Sequence, residues 1–267
     1  MFPFSLFSTD FDGTLFGFSN QNKCSQSMQK LLQTYADQQG IWVVNTGRSF
    51  QHTLEGLADY QASILPHFLI VNERHIFELC GKEYKPWNSW NTPCDEHHLA
   101  LWQSCESLIA ELKNFASENN GVTFIDFEGN PEGIVADDMT SLENFIIFFD
   151  RKRKNFPDFS YERNSIYLRF SHIKYNKGKA LQHLQKSLNI GPDSTAVAGD
   201  NMNDLSMLRK DVAEFLLCPE NAVHEVKMRV QKLGGQIGDY PAEEGIINAL
   251  EKLIHPQSSY IMTTSYP

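Results

Sequence analysis

The stretch SLFSTDFDGTLF, residues 5–16, places two acidic side chains directly behind a short, mostly apolar run. Residues 4–9 predict a buried β-strand, and Asp10 and Asp12 follow it one pleat apart. Two carboxylates this close disfavour each other's ionised form, because like charges repel. A solvated turn would tolerate such a pair by chance, whereas a cation-binding site would need it. The ends of the other strands therefore decide between the two interpretations.

The composition describes a folded, acidic protein. Of the 267 residues, 41% are hydrophobic and 21% are charged, which is enough apolar material for a packed core. The net charge of −10 argues against nucleic acid as a partner, because non-specific binding relies on basic surface. No stretch approaches the ~20 apolar residues of a membrane span, and Asp10 interrupts the N-terminal apolar run, so neither a membrane partner nor a signal peptide is expected.

The cysteines bear on the cellular compartment. There are five, at wide spacings and without a CxxC pair, which predicts reduced thiols and a cytoplasmic location. No feature of the sequence indicates an oligomeric state.

The chain on either side of the middle alternates strands and helices. Behind the first strand, the patterns predict a helix at 25–37, a strand at 41–45, a helix at 50–60 capped by Ser49, and a strand at 67–72. From residue 177 the rhythm returns, with helices expected at 178–190, 203–211, 222–233 and 241–255 and strands at 195–199 and 214–218. This alternation is typical of a parallel sheet with crossover helices, so we expect an α/β fold with a Rossmann-like core.

The middle of the chain has a different pattern. Residues 79–95 are polar, aromatic and rich in turn residues, and one long helix is expected from Glu96 to Ala116. Strands are predicted at 123–129, 132–138 and 164–172, with a helix at 141–154, which describes an open α+β sheet. We therefore expect residues 1–79 and 173–267 to form the α/β core and residues 80–172 to form an inserted α+β domain. The tail after residue 257 is expected to be loosely held.

Polar side chains of a few chemical types stand at the ends of the predicted core strands. Ligands bind beyond the carboxyl ends of strands in an open parallel sheet, so these side chains should converge. They are Asp10 and Asp12 after the first strand, Thr46 after the second, Asp200 with Asn203 and Asp204 after 195–199, and Lys177 at the start of a helix.

These residue types together predict chemistry on a phosphate group. Asp10, Asp200 and a main-chain carbonyl near Asp12 can supply Mg²⁺ with the oxygen ligands that it prefers. Lys177 adds a second positive charge, and Thr46 with the backbone amides near Gly13 and Gly47 can bind phosphoryl oxygens. One aspartate oxygen can then attack phosphorus to give an aspartyl-phosphate. Asp12 can protonate the leaving alcohol and later deprotonate water.

Four segments carry a resemblance to a known family. DFDGTLF (10–16), NTGRS (45–49), NKGKAL (176–181) and GDNMNDLSML (199–208) resemble, in order, the four motifs of the haloacid dehalogenase superfamily of phosphohydrolases. The insert between the second and third motifs implies a type-2 cap domain. TGRS, PHFLIVNERHIFE (66–78) and KGKALQHL are most similar to the Cof-like and sucrose-phosphatase-like branches, which hydrolyse sugar phosphates and related small phosphates.

The resemblance implies a Mg²⁺-dependent phosphatase whose partner is a small phosphorylated metabolite. Asp10 is the implied nucleophile and Asp12 the implied acid and base. Thr46, Gly47, Lys177 and Asn203 are implied to bind phosphate. Asp10, Asp12 and Asp200 are implied to hold the metal, with Asp204 orienting Lys177 or a metal-bound water.

One departure from the family pattern concerns specificity. Relatives often have small residues such as Gly-Ala or Gly-Ser after the third strand, where this chain has the bulky and charged residues 72–75. We expect the residues that define the substrate pocket to be Arg48, Asn72, Glu73, Arg74 and Arg169.

Two other functions stay open at the level of sequence. A phosphotransferase or phosphomutase would use the same aspartyl-phosphate with a different acceptor. A receiver-like or metal-bound regulatory module would also place acids and a lysine at strand ends, although Asp12 and the long insert argue against it.

Overall fold

Two β-sheets organise the chain in this computed structural model, which describes residues 1–17, 23–127 and 129–255. The strands of the larger sheet are β1 (Leu6–Thr9), β2 (Ile41–Asn45), β3 (Phe68–Val71), β4 (His75–Cys80), β5 (Glu83–Pro86), β10 (Thr195–Ala198), β11 (Phe215–Cys218) and β12 (Gln236–Ile237). The smaller sheet contains β6 (Val122–Phe127), β7 (Asn130–Ala136), β8 (Phe159–Asn164) and β9 (Tyr167–His172). The helices are α1 (Gln26–Asp37), α2 (Phe50–Tyr60), α3 (Asn88–Ser104), α4 (Glu106–Glu118), α5 (Met139–Lys152), α6 (Lys177–Leu188), α7 (His224–Lys232) and α8 (Ala242–Ile254).

The larger sheet has the strand order β12-β11-β10-β1-β2-β3-β4-β5. All pairs from β12 to β3 are parallel, whereas β4 and β5 are added as antiparallel strands. Because β1 lies between β2 and β10, the two halves of the chain meet at the strand that carries Asp10. The predicted α/β class with a Rossmann-like parallel core is confirmed.

Apolar side chains cover both faces of the larger sheet, as a parallel sheet requires. On one face, α1, α2 and α8 pack through residues that include Met28, Leu57 and Ile246. On the other face, α6 and α7 pack through residues that include Leu181 and Val226. Four of the eight helices, α1, α2, α5 and α6, begin at a side-chain cap. One of them was predicted at Ser49, whose side chain accepts a hydrogen bond from the His52 amide at 3.3 Å.

The smaller sheet has the order β6-β7-β9-β8 and is antiparallel throughout. Its core is formed with α4, α5 and the end of α3, through residues that include Leu112, Phe145 and Phe170. We call this unit, α4 to β9 with the end of α3, the cap. An inserted α+β unit was expected here, and that part of the fold class is confirmed. The larger sheet runs on to Pro86, a few residues past the expected boundary at residue 80; the domain limits otherwise stay a prediction.

Three of the expected elements are wrong in detail. The helix expected over 203–211 is a single 3₁₀ segment, Met202–Ser206, because the Asp204 side chain caps the backbone amides of Asp200 and Asn201. The single helix expected from Glu96 to Ala116 is two helices that meet at Cys105. Residues 79–95, expected only as a polar, aromatic and turn-rich stretch, form the end of β4, all of β5 and the start of α3.

Four strands were missed, namely β4, β5, β8 and β12. For β8 and β4 the reasons are tertiary. The β8 strand carries a polar sequence, FSYERN, whose pairing with β9 cannot be recognised from hydrophobic alternation. The β4 strand is held by Asn91, whose side chain accepts from Ile76 N at 2.9 Å and donates to Ile76 O at 2.8 Å.

Two smaller expectations can also be placed. All five cysteines, each within the described part of the chain, are free thiols. Across 1–17, 23–127 and 129–255, no helix has the length and apolar character needed to cross a membrane. The tail after residue 257 lies outside the described residues.

Candidate active site

The predicted side chains converge beyond the carboxyl ends of β1, β2 and β10. Lys177, at the first position of α6, is fully buried, and its Nζ donates to Asp10 Oδ1 at 2.6 Å and to Asp204 Oδ1 at 2.7 Å. Asn45, at the end of β2, donates from Nδ2 to the Lys177 carbonyl at 3.2 Å and so helps to fix the start of this helix. Asp200 lies beside them. One carboxylate oxygen from each of Asp10, Asp200 and Asp204 lies within 4.8 Å of the other two.

Asp204 is the positioning residue of this cluster. Its Oδ1 receives the lysine, while its Oδ2 accepts from the backbone amides of Asp200 and Asn201, both at 2.9 Å. One carboxylate thus fixes both the lysine and the loop that carries Asp200. The sequence predicted that Asp204 orients Lys177 or a metal-bound water, and the structure places it on the lysine.

Gly13 allows the first loop to approach Asp200. Its φ is +78°, and an added Cβ would lie 2.4 Å from Asp200 Oδ2, so a side chain at this position has no room. The next residue, Thr14, donates from Oγ1 to Asp200 Oδ1 at 2.8 Å. Asn221 donates from Nδ2 to the Gly13 carbonyl at 2.8 Å. Sequence reasoning missed the roles of Thr14 and Asn221; Thr14 lies inside the first motif, but Asn221 has no local signal.

The electrostatics of the cluster leave negative charge in excess. Burial, together with the carboxylates of Asp204 and Asp200, raises the pKa of Asp10 well above its ordinary value, although Lys177 opposes the shift. Burial and the Asp204 carboxylate raise the pKa of Asp200 to about 7. Burial alone would lower the pKa of Lys177, but Asp10 and Asp204 overcome this and raise it, so the lysine stays protonated.

A divalent cation fits this arrangement. Three carboxylates face one ammonium group, so two negative charges stay uncompensated when all are ionised. Asp204 already uses both oxygens on N–H donors, which leaves Asp10 and Asp200 as the carboxylates with oxygens for a metal. Such hard oxygen donors are the ligands that Mg²⁺ prefers.

Asp12 has a different environment from the one expected. Arg48 binds its carboxylate with two hydrogen bonds, from Nε at 2.7 Å and from Nη2 at 2.6 Å. The guanidinium also lies over the rings of Phe11 and Phe16, at 5.0 and 5.3 Å from their centroids. The Asp12 side chain therefore faces Arg48, and Arg48, which was expected to define the substrate pocket, contacts the predicted acid and base.

Thr46 and Gly47 follow β2 at the edge of the cluster. Thr46 is buried, and its Oγ1 accepts from the Arg48 amide at 3.1 Å, which leaves its hydroxyl proton for another acceptor. Gly47 lies against Glu73, since an added Cβ would be 3.1 Å from Glu73 Oε1. Both positions agree with the predicted phosphate-binding role, which stays a prediction.

The residues after β3 turn inward. Asn72 and Glu73 have φ values of +50° and +64°, and the Glu73 carboxylate is buried. Asn203 donates from Nδ2 to Glu73 Oε1 at 2.9 Å. The predicted phosphate ligand Asn203 and the predicted specificity residue Glu73 are thus in direct contact.

The cap lies over this site. Arg169 in β9 donates to the Gly47 carbonyl at 3.2 Å and to Glu132 Oε2 at 2.9 Å. Arg74 of the core donates to the Phe170 carbonyl at 3.2 Å.

Strand β8 packs against Met202–Ser206, which brings Glu162 near the cluster. Burial and the nearby Glu73 carboxylate raise the pKa of Glu162 well above its ordinary value. Sequence reasoning missed Glu162, because β8 was not predicted.

A second group of side chains that could ligate a metal lies beside Arg74. His75 Nε2 lies 2.8 Å from Asp95 Oδ1, with the buried Cys94 nearby. The charges of Arg74 already act on Cys94 and Asp95, so a cation there would face a guanidinium. We interpret the group as a hydrogen-bonded pair of His75 and Asp95 beside a buried thiol.

The fold and site together define a parallel α/β core whose carboxylates and lysine meet beyond the strand ends, under a cap. The family model that matches the chain describes a haloacid dehalogenase-like hydrolase and covers residues 109–250, more than half of the sequence. The chain belongs to the haloacid dehalogenase-like hydrolase family, and the resemblance seen in its motifs and the expected enzyme class are confirmed.

Individual relatives are more distant. The sucrose-phosphatase of Synechocystis sp. PCC6803, solved with sucrose and phosphate, has a TM-score of 0.69 at 19% identity over 95% of this chain and 99% of that one. A haloacid dehalogenase-like hydrolase from Bacillus subtilis has a TM-score of 0.60 at 19% identity over 95% and 94%. These two likenesses concern the fold. A curated protein, the glucosylglycerol-phosphate synthase of Pseudomonas anguilliseptica, is 28% identical over 76% of this chain. The matched region spans only 25% of the length of that protein.

Proposed function

We propose that this protein is a Mg²⁺-dependent phosphomonoester hydrolase that acts on a small sugar phosphate through an aspartyl-phosphate at Asp10. The observation that carries the proposal is the buried Lys177 between Asp10 and Asp204, with Asp200 beside them. A fully buried ammonium group aligned with a strand-end carboxylate is suited to hold a phosphoryl group against a nucleophile. The free thiols support the expected cytoplasmic location.

In the first step, an oxygen of the Asp10 carboxylate attacks phosphorus while the bond to the leaving alcohol breaks. Lys177 balances charge on the phosphoryl oxygens, and the Thr46 hydroxyl donates to one of them. Asp12 gives a proton to the leaving oxygen. Each Asp12 oxygen accepts one hydrogen bond from Arg48 and keeps a second lone pair, which is where the transferred proton would be held.

In the second step, water attacks the phosphorus of the aspartyl-phosphate. Asp12 now takes the proton from that water, and the bond between phosphorus and the Asp10 oxygen breaks to release orthophosphate and restore the carboxylate. Asp10 and Asp200 would hold Mg²⁺, which when bound neutralises carboxylate and phosphate charge. Asp204 keeps Lys177 and the Asp200 loop in place through both steps.

Sugar phosphates are the substrate class that the relatives support. A sucrose-phosphatase shares the fold, and the curated relative is a glucosylglycerol-phosphate synthase. The cap supports a small substrate, because a unit that lies over the site excludes polymers and bulk water.

The nucleophile assignment is tested by Asp10→Asn, with the exposed Asp37→Asn as the matched control. Phosphate release from p-nitrophenyl phosphate and a panel of sugar phosphates is measured with and without Mg²⁺. We expect the Asp10 variant to lose Mg²⁺-dependent turnover while the control keeps it. Near-normal turnover in Asp10→Asn would refute the assignment, and a phosphorylated acceptor in place of orthophosphate would identify a phosphotransferase.

A further inference from the structure

Asn221 links the loop of the first motif to the start of α8. Its Nδ2 donates to the Gly13 carbonyl at 2.8 Å, and its Oδ1 accepts from the Ala242 amide at 2.6 Å. A carbonyl can only accept and an amide N–H can only donate, so the two partners fix the orientation of the Asn221 side chain. An aliphatic side chain or a carboxylate of the same size lacks the donor, so it cannot make both bonds.

The start of α8 is itself held in place. Ala242, its first residue, has a φ of +47°, a left-handed conformation that a residue with a Cβ adopts at a cost. The next residue, Glu243, is buried and accepts from the Ser25 amide at 3.0 Å and from the Tyr60 hydroxyl. Ser25 caps α1 and Tyr60 ends α2, so both helices fix the point at which α8 begins. The link from the first loop therefore ends on a fixed part of the core.

The segment that carries Asn221 also holds the Asp200 loop. Asn221 lies within residues 219–223, and the amide of Val223 donates to the Asp200 carbonyl at 2.9 Å. Thr14 adds a direct contact between the loops, since its hydroxyl donates to Asp200 Oδ1 at 2.8 Å. The two loops that carry candidate metal ligands are thus tied to one short segment and to each other.

These contacts keep the two loops close together. Gly13 lies against the Asp200 carboxylate, because an added Cβ would be only 2.4 Å from Oδ2. The Gly13 amide donates to the Phe16 carbonyl at 2.8 Å and the Gly13 carbonyl accepts from Asn221, so both of its peptide planes are fixed. One of these planes contains the Asp12 carbonyl, and the sequence predicted a main-chain metal ligand near Asp12.

We propose that Asn221 is a positioning residue that holds the Gly13 loop against Asp200 and so makes the metal site select Mg²⁺ over Ca²⁺. The proposal rests on the proposed function, which is Mg²⁺-dependent. Oxygen ligands lie about 2.0–2.1 Å from Mg²⁺ and about 2.3–2.6 Å from Ca²⁺, which also takes more of them. Loops that cannot move apart suit the smaller ion, whereas loops released from Asn221 can widen around the larger one.

Calorimetry with Mg²⁺ alone and with Ca²⁺ alone tests the proposal. We expect the wild type to bind Mg²⁺ at least about 10-fold more tightly than Ca²⁺, and Asn221→Ala to reduce that ratio about 10-fold. The matched control is Asn248→Ala, which removes an α8 asparagine that likewise accepts from a backbone amide, that of Asp239 at 3.0 Å. The control should leave the ratio unchanged.

A second variant isolates the bond to the first loop. Asn221→Asp keeps the acceptor for the Ala242 amide and removes only the donor to Gly13, so it should reduce the ratio as well, and it carries the test if the alanine variant does not fold. Its added carboxylate attracts both ions, so the ratio of the two affinities is the quantity compared. The melting temperature in EDTA shows whether each variant is folded.

Three results would overturn the proposal: a wild type that binds Ca²⁺ as tightly as Mg²⁺, an equal change of both affinities in the Asn221 variants, or the same reduced ratio in Asn248→Ala. Metal binding is measured without substrate, which separates this proposal from the proposed function. If the wild type releases no phosphate from p-nitrophenyl phosphate, the proposed function is refuted, while the ratio of metal affinities still decides the role of Asn221.

Discussion

Replacing Lys177 with methionine separates the structural contribution of this lysine from its chemical one. The Nζ atom is fully buried between Asp10 and Asp204, at 2.6 and 2.7 Å. Methionine fills a similar volume without charge and leaves both carboxylates buried without their cation. Breaking a buried ion pair from one side costs about 3–5 kcal/mol, so we expect the free energy of unfolding without metal to fall by that amount.

The double variant Lys177→Met with Asp204→Asn decides what the lysine does. Asparagine keeps the carbonyl oxygen but removes one of the two uncompensated charges, so about 1–3 kcal/mol of stability should return. Activity should not return, because the ammonium group that would face the phosphoryl oxygens is still missing. We expect both variants to lose about 100- to 1,000-fold in kcat, as expected when one preorganised charge is removed.

The measurements are urea unfolding in EDTA and phosphate release with Mg²⁺, on the wild type, both single variants and the double variant. Activity that recovers together with stability in the double variant would show that Lys177 only holds the loop in place. An unchanged unfolding free energy in Lys177→Met would refute the interpretation of the pair itself.

Four further predictions concern two glycines, the pH dependence of metal binding and the pH dependence of stability. Gly13→Ala places a Cβ 2.4 Å from Asp200 Oδ2 and should weaken Mg²⁺ binding, measured by calorimetry, by at least about 10-fold. The control Gly81→Ala has a similar φ of +71° but open space around the new Cβ, and it should leave Mg²⁺ affinity unchanged. Gly178→Ala places a Cβ 2.0 Å from the Ser206 carbonyl oxygen, and should lower the free energy of unfolding in urea by about 1–3 kcal/mol and reduce turnover. A wild-type unfolding free energy together with wild-type turnover would contradict this close contact. Because the pKa of Asp200 is raised to about 7 and that of Asp10 is also raised, the metal must displace protons at lower pH, and Mg²⁺ affinity should fall at least about tenfold per pH unit below 7. The raised pKa also means that the folded state binds the Asp200 proton more tightly than the unfolded state does. The free energy of unfolding of the metal-free protein should therefore increase as the pH falls from 8 to 6, and a flat profile would contradict the raised pKa of Asp200.

The sequence predicted the residues that short-range rules control. Asp10, Thr46 and Asp200 follow buried strands, and parallel strands end at one edge, so their convergence follows from the alternation of elements. Ser49 begins a helix because its side chain satisfies a free amide, which is a local effect.

The errors have long-range causes. The helix expected over 203–211 fails because the Asp204 side chain competes for backbone amides while it also binds Lys177, a partner 27 positions away. The pair between Asp12 and Arg48 joins two motifs that were analysed separately. The contact between Glu73 and Asn203 spans 130 positions, and no periodicity connects them.

The two arginine contacts across the site have a shared asymmetry. Arg169 of the cap donates to a main-chain carbonyl of the core, and Arg74 of the core donates to a main-chain carbonyl of the cap. A carbonyl is present whatever side chain its residue carries, so only one partner of each contact can be lost by point substitution. Substitution of the other cap side chains that face the site therefore leaves the acceptors and donors of both contacts in place, so the pocket can be altered without removing what joins cap to core.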